Sequence, residues 1–149
     1  AVWGEKDYLV VDLPPGTGDA QLSLAQSVPI NGVLIVTTPQ KVSLQDSRRG
    51  LAMFQQMNIP ILGIVENMSV FIPPDLPDRQ YQLFGVGGGK VLSEESSVPL
   101  LAQLPLEIHD VDSKDEGEPL VFQYPDSITA KSFNKLVTSV VEIINKSPN

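Results

Sequence analysis

Asp12 closes the apolar run Tyr8-Leu9-Val10-Val11 and opens a stiff turn, Leu13-Pro14-Pro15-Gly16-Thr17-Gly18-Asp19. A strand needs only its hydrophobic residues, so a carboxylate at its end points to a ligand there. Mg²⁺ is a hard cation that prefers oxygen and keeps several waters, so one fixed carboxylate can hold it through water. Pro14 and Pro15 fix φ. Gly16 and Gly18 let the backbone come close to a phosphate. The run with Asp12 has the Walker B pattern, and the turn behind it suits a γ-phosphate sensor. An apolar run ending in Asp also describes an ordinary strand-to-helix loop with a capping carboxylate. The whole stretch DLPPGTGD is the more specific signal.

Two further apolar runs end in polar groups able to face a ligand. Val33–Thr37 continues into Thr38-Pro39-Gln40, and Ile61–Val65 ends in Glu66-Asn67. The asparagine amide can both donate and accept. In open α/β sheets, ligands sit beyond the carboxyl ends of the strands, and all three polar endings fall at such ends.

The elements that must place these ends are legible as strands and helices in alternation. Four apolar, β-branched runs, YLVVDL (8–13), VLIVTT (33–38), ILGIVEN (61–67) and PLLAQLP (99–105), are expected strands. The second and third are nearly continuous, the mark of a parallel sheet covered on both faces. Helices are expected over 19–28, with Leu22 and Ala25 on one side and Asp19 as N-cap, and over 42–57, with Leu44, Leu51 and Phe54 inward. A short helix over 87–96 follows. The last helix, 127–146, has Asp126 as cap and Leu136, Val137, Val140, Val141 and Ile144 inward. This alternation predicts an α/β fold with right-handed crossovers. Residues 70–89 and 107–126 are expected loops; the second holds seven of the 18 acids.

The 149 residues suit one domain, and 42% hydrophobic content is enough for a core. Net charge is −8, which argues against a general grip on nucleic acid or an anionic membrane. Backbone N–H groups can still build a small phosphate site. The chain has no cysteine, hence no disulfide and no thiolate metal ligand. No signal peptide or membrane-spanning run is present, so a cytoplasmic protein is expected. The start at Ala1-Val2-Trp3, so close to the strand at Tyr8, suggests a piece that begins within a domain.

Other features carry less chemistry. GVGGGK (85–90) is not a Walker A loop: Phe84 stands where the first glycine belongs, and Val91 where Ser or Thr should follow the lysine. His109, the single histidine, has no companions for a triad or a metal site. DVDSKDEG (110–117) has Lys114 and Asp115 where an EF-hand needs an oxygen ligand and glycine, so it is an acidic solvated loop. Asp46-Ser47-Arg48-Arg49 suits a solvated helix surface. The polar face of the last helix, Lys131, Lys135, Glu142 and Lys146, is too sparsely basic for membrane targeting.

DYLVVDLPPGTGDAQLSLAQ, GVLIVTTPQKVSLQDSRRGLAMF, ILGIVENMS and FGVGGGKVL, in this order, resemble the Mrp/ApbC family. These are deviant P-loop ATPases of the MinD/ParA type that carry iron–sulfur clusters, and the likeness covers nearly the whole chain. It implies a three-layer, P-loop NTPase-like, mostly parallel sheet with helices on both faces, incomplete at its N-terminus. Residues 1–149 would be a single partial domain, the C-terminal part. It also implies ATP and Mg²⁺ as cofactors, a [4Fe-4S] cluster as cargo, apo iron–sulfur proteins as recipients, and a homodimer. Asp12 matches the Mg²⁺-linked aspartate; Pro14, Pro15 and Gly16 match the switch II turn. Asn67 matches the asparagine that reads the adenine edge, and Pro105 lies where the family's chain passes the adenine face.

Two departures stand out. The family's Walker A loop and its catalytic lysine are missing, so these residues alone should not hydrolyse ATP. The Cys-x-x-Cys of many members, six and nine residues after the asparagine, is Pro73 and Leu76 here. Alternatives from other classes are a MinD/ParA-type positioning ATPase and a non-catalytic scaffold or carrier.

Overall fold

The computed structural model describes residues 2–14, 18–108 and 117–146. Three parallel strands form its centre: β1 (Val33–Thr37), β2 (Ile61–Glu66) and β4 (Leu100–Gln103), in the order β1-β2-β4. A second, two-stranded parallel pair joins β3 (Phe71–Ile72) to β5 (Leu106–Glu107). The helices are α1 (Asp19–Ser27), α2 (Lys41–Gln56), α3 (Gly88–Ser96), α4 (Leu120–Gln123) and α5 (Ile128–Lys146).

The β2 sequence is apolar up to its last residue, Glu66, because both of its faces are covered. On one side Ile35 and Ile64 pack with Leu44, Leu51 and Phe54 of α2 and Leu92 of α3. On the other, Val65 and Leu104 pack with Leu136 of α5, flanked by Leu34, Leu101 and Val140. Helices on both faces of a parallel sheet bear out the expected α/β layering.

Local chemistry sets the helix ends. α2 stops at Met57; Asn58 then takes φ 57°, and Ile59 N donates back to Phe54 O at 3.0 Å. An asparagine in the left-handed region after a helix is a common stop, and it turns Ile59 onto the core. At α5 the cap is Ser127, whose Oγ accepts from Ala130 N at 3.0 Å, rather than Asp126. α1 follows Gly18 as its N-cap; Asp19 is the first helical residue and makes no capping bond. Asp19 still favours that end, because a carboxylate in the first turn faces the positive end of the helix dipole.

Beyond these two caps, three further expectations fail. The run 8–13 forms no strand among the described residues: its backbone pairs with nothing, and Val10 and Val11 are 90% and 50% exposed. A strand exists only by hydrogen-bonding to a neighbour, and β-propensity alone cannot supply one. Val137 faces solvent instead of the sheet. The expected loops contain β3, β5's neighbour, and the single turn α4. Among the described residues β1 pairs only with β2, so its other edge is open, and Val36 is 60% exposed.

Candidate functional site

The carboxyl ends of β1, β2 and β4 converge. Asn67 N donates to Thr37 O at 2.7 Å, and Leu104 N donates to Glu66 O at 2.8 Å. Ser69 closes the corner, donating from both N (3.0 Å) and Oγ (3.1 Å) to Leu104 O. Asn67 and Pro105 are thereby brought onto one ledge. α5 supports the ledge from below: Thr129 N donates to Glu107 Oε2 at 2.7 Å, and Thr129 Oγ1 to Pro105 O at 3.3 Å.

Asn67 keeps recognition capacity. Its Oδ1 accepts from Met68 N at 2.9 Å, which accompanies φ 53° at Met68. A carbonyl oxygen has a second lone pair, and among the described residues Nδ2 has no partner. Acceptor and donor therefore stand side by side at the end of β2.

On β1, Thr37 is buried, with Oγ1 3.1 Å from Ser43 Oγ, and Ser43 Oγ also accepts from Thr38 N at 3.0 Å. These contacts hold the start of α2 to the strand end. Thr38 Oγ1 is buried with no hydrogen-bond partner among the described residues. An orphaned buried hydroxyl costs free energy unless something fills its valence, so it fits a ligand group or a further segment at this ledge.

The glycine stretch has a structural purpose. Gly87, at φ 67°, caps α3, and Gly88 and Gly89 form its first turn. A Cβ on Gly88 would meet Pro39 Cα at 2.9 Å, and one on Gly89 would meet Glu66 Cβ at 2.9 Å. Bare backbone is what lets α3 approach the strand ends this closely. The N-terminal amides of α3 are met by the chain's own carboxylate: Gly89 N donates to Glu66 Oε2 at 2.5 Å. GVGGGK is thus a packing element, consistent with its failure as a Walker A loop. Beside it, an open groove of about 700 Å³ runs between the start of α2 and residues 84–88, lined by Pro39, Lys41, Leu44, Phe84, Val86 and Val91.

Asp12 makes no hydrogen bond or ion pair among the described residues. Leu13 beside it packs on the core containing Ile35 and Leu44, while Asp12 itself is exposed. Pro14 O accepts from Gln21 Nε2 at 2.6 Å, tying the turn to the one buried residue of α1. Pro15 and Gly16, His109 and most of the acidic stretch 110–117 lie outside the described residues. Among the described residues, no three His, Asp or Glu side chains cluster to hold a metal. A lone exposed carboxylate fits a water-mediated Mg²⁺ contact, and not a protein-enclosed metal cage. The expected solvated surface at 46–49 is only partly so. Ser47 is buried, and Arg48 is bonded to Glu95 of α3. The residue the sequence left without a role is Gln103, whose Nε2 donates to Glu66 Oε1 at 2.7 Å.

The model of the ParA family described as NUBPL iron-transfer P-loop NTPase matches residues 1–141. An iron-sulfur cluster carrier protein of Synechocystis is 61% identical over 138 residues, covering 93% of this chain and 39% of the relative. A nucleotide-binding protein from Archaeoglobus fulgidus, solved in complex with ADP, superposes with TM-score 0.60 at 31% identity, covering 98% of this chain and 50% of its own. The cell division ATPase MinD of Pyrococcus furiosus superposes with TM-score 0.64 at 26% identity, covering 92% and 52%. The chain thus spans about half or less of the length of the proteins it matches. With that match over most of its residues, the chain belongs to the ParA family of P-loop NTPases, on the NUBPL iron-transfer branch.

Proposed function

We propose that this chain is the base-reading and switch-bearing part of an ATP-dependent iron–sulfur cluster carrier of the Mrp/ApbC type. The observation that carries the reading is the ledge at the carboxyl ends of the sheet, where Asn67, the buried Pro105 and the hydroxyl of Thr38, unpartnered among the described residues, gather. Asn67 offers an acceptor and a donor side by side, which matches adenine N6–H₂ and N7 and mismatches guanine, where O6 and N7 both accept. Pro105 is buried beneath the ledge and held by Thr129, so it would shape the floor under the base without presenting an open face to it. ADP in the Archaeoglobus fulgidus relative supports a nucleotide as ligand.

Asp12, with Pro14, Pro15 and Gly16, is assigned to the phosphate end. Mg²⁺ bound there would neutralise phosphate charge. Asp12 would orient its waters, and the turn would respond to the γ-phosphate. The phosphate cradle and its lysine lie outside these residues, so hydrolysis belongs to the complete protein. The cluster is cargo. The chain has no cysteine, so thiolate ligands for a [4Fe-4S] cluster must come from outside these 149 residues. A homodimer that hands the cluster to apo iron–sulfur proteins in the cytoplasm completes the proposal. The net charge of −8 speaks against a nucleic-acid partner, and no described helix is long and apolar enough to cross a membrane.

The test is the complete protein, reconstituted anaerobically with iron and sulfide and assayed with MgATP. Bound iron together with ATP hydrolysis is expected. ATP hydrolysis without iron would favour a positioning ATPase, and neither would favour a scaffold.

A further inference from the structure

Glu66 ends β2, the most deeply buried strand among the described residues, and is only 1% exposed. An acid in that position is costly unless its oxygens are satisfied. Here two different elements satisfy them. Oε2 accepts from Gly89 N of α3 at 2.5 Å, and Oε1 accepts from Gln103 Nε2 of β4 at 2.7 Å. The positive end of the α3 dipole favours this anion. No recorded ion pair involves Glu66 among the described residues. Its carboxylate therefore knots β2, β4 and α3 within one residue of Asn67 and two of Pro105.

We propose that Glu66 is a positioning residue that fixes Asn67 at the end of β2, and so sets the fit of the adenine base. The proposal rests on the nucleotide reading above. Backbone bonds tie the ledge to β1 through Asn67 N and Thr37 O, and to the end of β4 through Leu104 N to Glu66 O and Ser69 N to Leu104 O. The Glu66–Gln103 bond braces β2 against β4 just before both chains turn toward the ligand. The Gly89 bond presses α3 against the same point, and the absence of side chains at Gly88 and Gly89 makes room for it. Asn67 makes no direct contact with the carboxylate; the effect passes through the strand ends.

The test uses three variants in the complete protein, with MgATP and MgGTP affinities and thermal melts measured for each. Glu66→Gln has one acceptor facing two donors, so one of Gly89 N–H and Gln103 loses its partner. The ATP-over-GTP affinity ratio should fall roughly tenfold, about one hydrogen bond's worth. In the double variant Glu66→Gln with Gln103→Glu, the oxygen of residue 66 can face Gly89 while its NH₂ meets the new carboxylate. The ratio should return to within about threefold of wild type, since each donor again has an acceptor. A purely structural role predicts lowered melting temperatures with an unchanged ratio, and that result would overturn the proposal. So would a double variant that regains melting temperature but not the ratio. If Glu66→Gln does not fold, Gln103→Leu breaks only the β2–β4 brace; an unchanged ratio there also overturns it. A wild-type protein that binds no MgATP would instead remove the nucleotide reading itself.

Discussion

Arg48 of α2 grips Glu95 of α3 through two parallel bonds, Nε to Oε2 at 2.7 Å and Nη2 to Oε1 at 2.9 Å. The fork geometry suits a carboxylate and fixes the two helices side by side over the same face of the sheet. The hydrogen bonds from Arg48 hold the Glu95 carboxyl below its ordinary value of 4.5, desolvation opposes them, and the guanidinium charge adds to the lowering. A carboxyl whose pKa is lowered by folding stabilises the fold above its ordinary pKa. That stability is lost as pH falls through the lowered value. Glu95→Gln should therefore melt slightly below wild type at neutral pH, and the gap should close in acid below the ordinary carboxylate range. Both side chains are nearly half exposed, so salt should shrink the gap as well. A gap that persists unchanged at low pH would assign the effect to packing.

Two glycines in helices should respond in opposite directions to alanine. Gly50 sits inside α2 with nothing within 4 Å of an added Cβ, so Gly50→Ala should stabilise by about 0.5–1 kcal/mol. Gly89→Ala forces a Cβ against Glu66 Cβ at 2.9 Å and Leu100 Cδ1 at 3.0 Å, and should destabilise by roughly 1–3 kcal/mol. Chemical denaturation of the two variants in parallel checks both signs. Equal effects would mean that α3 is not pressed against β2 as described.

The sequence disclosed most where burial on two faces left a continuous apolar imprint. β1, β2 and β4 lie within the expected runs for that reason. Tyr8–Leu13 carries the same imprint and still makes no strand, because propensity records what a segment can pair with, not whether a partner edge is there. The glycines at 87–89 were visible, but their purpose was not. Gly89 matters through Glu66, which is 23 residues away along the chain. Gln103 meets Glu66 across a separation of 37 residues, and no local pattern announces such a bond. The caps lie one residue from the expected Asp19 and Asp126: at α5 Ser127 and Asp126 adjoin and only the backbone path decides, while Gly18 caps α1 with no side chain at all.

Asp12→Ala in the complete protein should abolish most hydrolysis while leaving nucleotide affinity less affected. A group that manages charge at the phosphates acts chiefly on the transition state. A loss of kcat of roughly a hundredfold or more is the scale for removing one such group. Steady-state kinetics beside equilibrium binding separate the two effects. Turnover at the wild-type rate would leave Asp12 as an ordinary exposed loop residue.

Asn67→Ala should weaken MgATP binding by about 1–3 kcal/mol and relax the preference for adenine over guanine, because two base hydrogen bonds go with one side chain. Loss of the Met68 N–Asn67 Oδ1 bond should also be seen as a small drop in melting temperature without nucleotide. Competition binding with ATP and GTP decides the matter. A lower melting temperature with unchanged affinity and base preference would reduce Asn67 to a turn residue.

The 149 residues produced alone should not behave as a simple monomer. Among the described residues one edge of β1 has no strand beside it, which leaves N–H and C=O groups along Val33–Thr37 unpaired, and Val36 there is 60% exposed. Tyr8, Leu9, Val10 and Val11 add an exposed apolar run that pairs with nothing among the described residues. An open apolar edge and an unpaired β-prone segment are templates for another chain. Self-association through these elements is the expected outcome, visible as concentration-dependent mass in light scattering or sedimentation. Charged substitutions at Val10 and Val36 should suppress it. MgATP should not raise the melting temperature of this piece, because the phosphate cradle is not among its residues and only binding to the native state would raise it. A monomer with a sharp melt that shifts upward with MgATP would show that the ledge binds nucleotide without a P-loop, and the assignment of the phosphate end would have to be redrawn.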